Sequence, residues 1–190
     1  MMLDLNFNPF PELAGQIVRL RLIDKDDVEP VFYLRSNKKI MRYIEKPLHK
    51  SLNDSLVHIH SMEEGIKNNS SIYWGLCTPE KPLLLGIVSY HLIDKANHRA
   101  EIGYILHDDF WGKGFTNDAV SAVINFGFSF MNLHSIEAKI NPDNVASKNL
   151  LLKHHFKKEA YFRENYYYEG NFLDTEVYSL LKSDARLSLF

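Results

Sequence analysis

Apolar and polar residues first alternate at residues 17–23, where Val18, Leu20 and Leu22 interleave with Arg19 and Arg21 as in a half-buried strand. Residues 1–16, with Pro9 and Pro11, predict an irregular arm. Asp24 or Asp26 supplies a cap for a helix over 27–37. A short helical piece continues to Tyr43 and stops before Pro47, because the residue preceding a proline avoids helical angles. Residues 51–68 set Leu52, Leu56, Ile59 and Ile66 at near-helical spacing, with Ser51 or Asn53 as cap. Strands are predicted at 72–77 and 83–92, joined by a turn containing Pro79 and Pro82, and again at 99–106. Residues 112–132 carry no charge after Asp118 and are apolar on nearly every side, which predicts a helix buried against a sheet. Residues 135–140 alternate with Ile136, Ala138 and Ile140 inward. The turn Asn141-Pro142-Asp143-Asn144 then caps a helix over 145–154. Strands at 161–168 and 172–181 flank Glu169-Gly170-Asn171 as a hairpin. The order predicts a mixed α/β fold, one sheet with helices on both faces.

Composition narrows the class. The 190 residues match one domain in length, with no repeat, low-complexity run or linker to divide them. Hydrophobic residues at 45% and charged residues at 24% exclude disorder and collagen-like chains. The formal charge of −2 argues against non-specific polyanion binding, so no nucleic-acid partner is expected, even from the aromatic hairpin. A single cysteine, Cys77, excludes an internal disulfide framework and fits a reducing compartment. No basic residue precedes Arg19, as a secretory signal would require, and the longest apolar run, residues 82–88, is too short to cross a bilayer. The expectation is a soluble cytoplasmic protein without a membrane partner.

Three places could carry chemistry. Trp111-Gly112-Lys113-Gly114-Phe115-Thr116 lies between a strand and the buried helix, where glycines admit a ligand to the backbone and free first-turn amides attract an anion. A Walker loop would need glycine at His107 and Ser or Thr at Gly114, and a dinucleotide fingerprint would need glycine or alanine at Asn117; neither fits. Asn144 and Ser147 open the next helix as a cap and a first-turn hydroxyl. Glu101 interrupts the apolar strand Ala100–Leu106, where a carboxylate either meets solvent or lines a cleft as a base of raised pKa. His58 with His60, and His154 with His155, are too close in sequence to share a metal, and no metal is expected.

In this order and spacing, Ala100-Glu101-Ile102-Gly103-Tyr104, Trp111-Gly112-Lys113-Gly114-Phe115, Asn144-x-x-Ser147 and Gly170-x-x-x-Asp174-x-x-x-Tyr178-Ser179 resemble the GNAT superfamily of acetyl-CoA-dependent N-acetyltransferases, and most closely its RimJ/RimL-like branch. The resemblance implies a V-shaped, mostly antiparallel sheet splayed between its fourth and fifth strands, here residues 99–106 and 135–140. It implies an acetyl-CoA pyrophosphate loop on Trp111, Gly112, Lys113, Gly114, Phe115, Thr116 and Asn117, with further cofactor contacts from Ile102, Tyr104, Ile105, Asn144 and Lys148. Asp109 stands where the family's loop favours Gln or Arg, Asp118 where it favours Glu, and His155 where it has glycine before Phe156.

Acetyl transfer to a primary amine is therefore expected, by direct attack in a ternary complex, in a monomer or homodimer. Glu101 is the candidate base, strand amides the oxyanion donors, and Ser147 the candidate acid for the departing thiolate. The acceptor is a protein N-terminus or a small amine. The rival from another class, a catalytically silent acyl-CoA-binding module, has no need of Glu101 and Ser147.

Overall fold

The structure is a computed structural model that describes residues 2–185. Eight strands form one open sheet: β1 (Leu13–Ala14), β2 (Arg19–Arg21), β3 (Ile72–Thr78), β4 (Lys81–Asp94), β5 (Arg99–Leu106), β6 (Ser135–Ile140), β7 (Lys157–Tyr168) and β8 (Asn171–Leu181). Their spatial order is β1-β2-β3-β4-β5-β6-β8-β7. Every neighbouring pair is antiparallel except β5–β6. Four α-helices complete the fold: α1 (Val28–Ser36), α2 (Leu52–Lys67), α3 (Phe115–Ser129) and α4 (Val145–Lys153).

Because side chains alternate across a strand, Trp74, Val88 and Ile102 join α3 and Leu151 of α4 in one core, while Ile87 and Ile105 join Val31, Leu34, Ile59 and Met62 of α1 and α2 in another. These are the two helical layers expected from the sequence. The apolar helix α3 presses its Gly127 against the Tyr90 hydroxyl, which donates to the Val123 carbonyl at 2.9 Å. Any side chain at 127 would collide with that ring.

The structure corrects several expectations. The arm is packed: Leu3 and Phe7 are buried, β1 pairs with β2, and the Trp74 indole donates to the Pro11 carbonyl at 2.7 Å. The alternating run at 17–23 yields only the three residues of β2, because the amides of Gln16, Ile17 and Val18 donate to the Asp118 carboxylate at 3.0, 2.8 and 3.1 Å. Pro82 lies inside β4, its carbonyl accepting from Arg21 at 2.6 Å, so the turn holds only Pro79 and Glu80. The helix expected over 27–37 begins one residue later, after a short 3₁₀ turn that Asp24 caps.

Helix α2 starts with a capping box of Ser51 and Asp54, but it is rotated from the expected face. Ser55, Ile59 and Met62 go inward, while Leu52 and Leu56 remain exposed. A hydrogen bond between Ser55 Oγ and His49 Nδ1, 2.8 Å, secures the polar position on the inner face. The α4 C-terminus closes in a Schellman turn: His155 N donates to Leu152 O and Phe156 N to Leu151 O, both at 3.0 Å. His155 takes the left-handed backbone (φ 66°) that glycine would take without strain.

Candidate active site

The single parallel pairing creates the site. β5 and β6 are in register at only three positions, Arg99–Ser135, Ala100–Ile136 and Glu101–Glu137, and part beyond Glu101. The strands counted fourth and fifth from the sequence are fifth and sixth here, because β1 precedes them. Past Glu101 the β6-facing backbone of β5 has no strand to pair with, so its polar groups face the gap. A cleft of ≈ 650 Å³ opens there, lined by both sides of the split together with α1, α2, α4 and the β7–β8 hairpin. A second hollow of ≈ 520 Å³, on the outer side of α2 around Leu56, Val57 and His60, contains none of the chemistry-bearing residues.

Glu101 stands at the point of divergence. Its side chain is 13% exposed and accepts from Lys139 Nζ of β6 at 2.8 Å, with His91 Nε2 of β4 at 3.2 Å. Burial pushes its carboxyl pKa up, but the hydrogen bonds and charges of His91 and Lys139 outweigh burial and bring it down to about 2. Of the two alternatives the sequence left open, the carboxylate lines the cleft, but its pKa is lowered rather than raised, so it is ionised in the neutral range. His91 reaches it because of a register shift between Tyr90 and Leu92, and it lies over Gly103, where a Cβ would come within 3.1 Å of the imidazole.

Ser147 and Tyr104 meet on the other side of the gap. The Asn144 side chain accepts from Ser147 N at 3.1 Å, so Asn144 is the helix cap and the Ser147 hydroxyl is left for the cleft. The Tyr104 hydroxyl lies buried beside Ser147 without a completed hydrogen bond, and burial raises its pKa to about 12. Ile102 and Ile105 also line the cleft.

The glycine loop follows β5 and lies outside the cleft's lining. Gly112 (φ 74°) and Gly114 (φ 86°) both adopt left-handed backbone. At Gly112 nothing lies within 4 Å of where a Cβ would stand. Gly114 is the N-cap of α3 and provides no side-chain acceptor, so the first-turn amides, those of Phe115, Thr116 and Asn117 among them, are uncapped. Asp118 is turned back to residues 16–18, which leaves this helix start without a carboxylate of its own. Trp111 is 44% exposed and anchored through its indole N–H to Leu106 O at 2.9 Å. The Asn117 side-chain oxygen is buried without a partner. Lys113 is exposed, its Nζ 5.5 Å from the Phe110 ring, whereas Lys148 lies 3.8 Å from the buried Glu176.

Residues 18–157 match the family described as Acetyltransferase (GNAT) domain. The chain belongs to the GNAT acetyltransferases. The uncharacterized N-acetyltransferase YoaA of Bacillus subtilis is 34% identical over 173 residues, covering 91% of this chain and 98% of YoaA. The [ribosomal protein uS5]-alanine N-acetyltransferase of Escherichia coli is 27% identical over 119 residues, covering 62% of this chain and 61% of that one. Among solved structures, RimL, a ribosomal L7/L12 alpha-N-protein acetyltransferase in complex with coenzyme A, superposes with a TM-score of 0.82 at 19% identity, covering 90% of this chain and 98% of RimL. The RimJ/RimL-like resemblance holds, and the protein is an acetyl-CoA-dependent N-acetyltransferase.

In this acetyltransferase the cleft also holds groups that the sequence did not single out, His91, Lys139 and Arg35, together with His58, which the sequence considered only as a metal ligand. Tyr166 and Tyr168 donate to the carbonyls of Glu45 and Lys46 at 3.0 and 2.9 Å, strapping the segment after α1 to the hairpin as one wall. His58 is half-buried in the cleft and His60 exposed, facing different directions as their one-residue spacing implied. Among the described residues His107, Asp108 and Asp109 bring donor atoms within 4.8 Å, but Asp108 is held by Lys39 and the Tyr33 hydroxyl, each at 2.9 Å. No helix of the described residues is long and apolar enough to cross a membrane.

Proposed function

We propose that this enzyme moves an acetyl group from acetyl-CoA to a primary amine by direct attack within a ternary complex, with both substrates seated in the gap between β5 and β6. The observation that carries this reading is the divergence of the two strands past Glu101, next to a glycine loop and an uncapped helix start. The amides at the start of α3 attract the phosphates of the cosubstrate, and the Asn144 amide and the backbone of Ile102, Tyr104 and Ile105 hold its pantetheine arm. The acceptor enters from the side of α1, α2 and the hairpin.

The amine attacks as the free base. Glu101, directly or through one water, accepts a hydrogen bond from it and steadies the positive charge that grows on nitrogen. With a pKa of about 2, the carboxylate does not retain the proton, which passes to solvent at the open mouth of the cleft. The carbonyl π electrons move onto oxygen, where unpaired amides of β5 meet them. They return as the C–S bond breaks, and the leaving thiolate takes its proton from the Ser147 hydroxyl or from water. Protein N-termini are the favoured acceptors. The uS5-alanine relative supports that class, and an α-amino group, with a pKa near about 8, is unprotonated more often than a lysine near about 10.4. The test is a panel of peptides, amino acids and small amines with thiol release as readout. Binding of acetyl-CoA without release on any amine would favour the silent module instead.

A further inference from the structure

The acceptor side of the cleft contains a cation that no described residue neutralises. Arg35, in the last turn of α1, lines the cavity, and no carboxylate lies within ion-pair distance of its guanidinium among the described residues. Its Nε is buried with no hydrogen-bond partner, and its one side-chain contact is Nη1 to the Met41 thioether at 3.6 Å, a weak acceptor. Burial lowers its pKa, and the Tyr168 side chain opposes that shift. The acids that share the cavity are engaged elsewhere: Glu101 with Lys139 and His91, Asp174 with the Tyr161 hydroxyl and Glu164 N, and Glu45 with Asn141. Beside Arg35, burial, then the Arg35 charge and His49, push the His58 pKa down to about 4, so its imidazole is neutral and offers one N–H.

Arg35 is half-buried, and its buried Nε is left without a partner, a desolvation cost that a planar acceptor such as a carboxylate or phosphate in the cavity would offset. We propose that Arg35, with His58 at its side, is the receptor for an anionic group on the acceptor, so that this enzyme acetylates amines that also carry a carboxylate or a phosphate. The inference rests on the acetyl-transfer reading of the cleft. It adds a second point of recognition: the amine is drawn to the Glu101 end, and the anion to the α1 wall.

Matched acceptors test it: glycine against glycinamide, phosphoethanolamine against ethanolamine, and tripeptides with Asp against Asn at the second residue. Wild type is expected to favour the anionic member of at least one pair. In Arg35→Gln that preference in kcat/KM falls about tenfold or more, and Arg35→Lys restores part of it. The pair that responds distinguishes a carboxylate from a phosphate. Preference unchanged in Arg35→Gln overturns the proposal. Stability provides a second arm. Removing a half-buried cation without an ion-pair partner leaves the melting temperature of Arg35→Gln equal or higher, whereas a clear drop would assign Arg35 to holding the α1 C-terminus.

A third arm needs no turnover. Inorganic phosphate or acetate, titrated into the protein while the His58 ring is followed by NMR, raises the His58 pKa in wild type and not in Arg35→Gln. If neither anion moves it, the receptor is absent. Acetyl-CoA calorimetry run alongside keeps the two readings apart. Loss of cosubstrate binding strikes at the acetyl-transfer placement, while intact binding with unaltered selectivity strikes at Arg35 alone.

Discussion

Glu101→Gln separates two roles that a carboxylate in this cleft could play. The change keeps the shape and removes the charge, and Lys139 retains Glu137 at 3.1 Å, so no ammonium is stranded. In the folded protein the Glu101 pKa is about 2, against 4.5 for the free side chain. A depressed pKa means that the group's stabilisation is complete above 4.5 and is lost as pH falls through 2. The shift corresponds to about 3 kcal/mol at most, and water in the open cleft screens this to about 1–2 kcal/mol. Urea denaturation from pH 7 downward is expected to show wild type more stable than Glu101→Gln at neutrality. The gap should narrow by that amount in the acid range. For chemistry, a proton moved from an α-ammonium of pKa about 8 to this carboxylate climbs about 6 units, or about 8 kcal/mol, so on the proposed mechanism Glu101 acts as a hydrogen-bond acceptor and electrostatic partner. Turnover in the variant is expected to fall roughly 100-fold. The rising limb of the pH–rate profile should follow the acceptor amine in both proteins. A limb between about pH 5 and 7 in wild type that vanishes in Glu101→Gln would refute the reasoning, because it would show Glu101 titrating there.

Three further outcomes are expected. Gly112→Val places a β-branched residue at φ 74°, a strain of about 1–2 kcal/mol with no clash to add, and should weaken acetyl-CoA binding by about tenfold in calorimetry; unchanged affinity places the phosphates elsewhere. Ser147→Ala should leave the melting temperature unaltered and lower the rate, most visibly with acyl donors of poorer leaving groups, while Asn144→Ala should cost about 1 kcal/mol of stability as the cap is lost; a destabilised Ser147→Ala with wild-type turnover removes Ser147 from the chemistry. His155→Gly relieves a left-handed backbone at φ 66° and, after the entropy that glycine adds to the unfolded chain, should raise stability by about 0.5–1 kcal/mol in urea titrations, an increase whose absence means that the turn is unstrained.

The parts of this protein written in local patterns were legible. Alternation placed β6, an apolar run placed β5, the Glu169-Gly170-Asn171 turn placed β8, and the charge-free run placed α3. The two glycines between β5 and α3 marked the loop because positive φ is a property of single residues. What escaped is what depends on pairing across the sheet or on the direction a helix faces. His91 reaches Glu101 only because a register shift breaks the period of two in β4, and Lys139 reaches it only across the parallel pair. Arg35 looked like any charge near a helix end, a type that usually meets water. The rotation of α2 escaped for a related reason: His49 pairs with Ser55 from outside the helix, and periodicity carries no information about it. Asp118 stands out in the sequence only as a replacement for the family's Glu after the loop, yet it binds three amides about a hundred residues away in sequence.

The charges of the cleft suit the reaction better than the net charge of −2 suggests. On the proposed reading the cosubstrate brings phosphates and the acceptor brings an amine and an anion, so the gap must present positive, negative and positive potential in turn. The uncapped start of α3 supplies the first, and Glu101 the second. Arg35 supplies the third from a helix C-terminus, where carbonyl dipoles favour a cation and lower the cost of its partial burial. The middle charge is the delicate one, because a lone carboxylate at the base of a cleft would take up a proton as an apolar acceptor displaced water around it. Lys139 and His91 prevent that by approaching it from β6 and β4, the two strands that flank β5. The pairing ends at Glu101 itself, so the residue that must stay ionised sits where both flanking strands are still within reach and the gap has just begun.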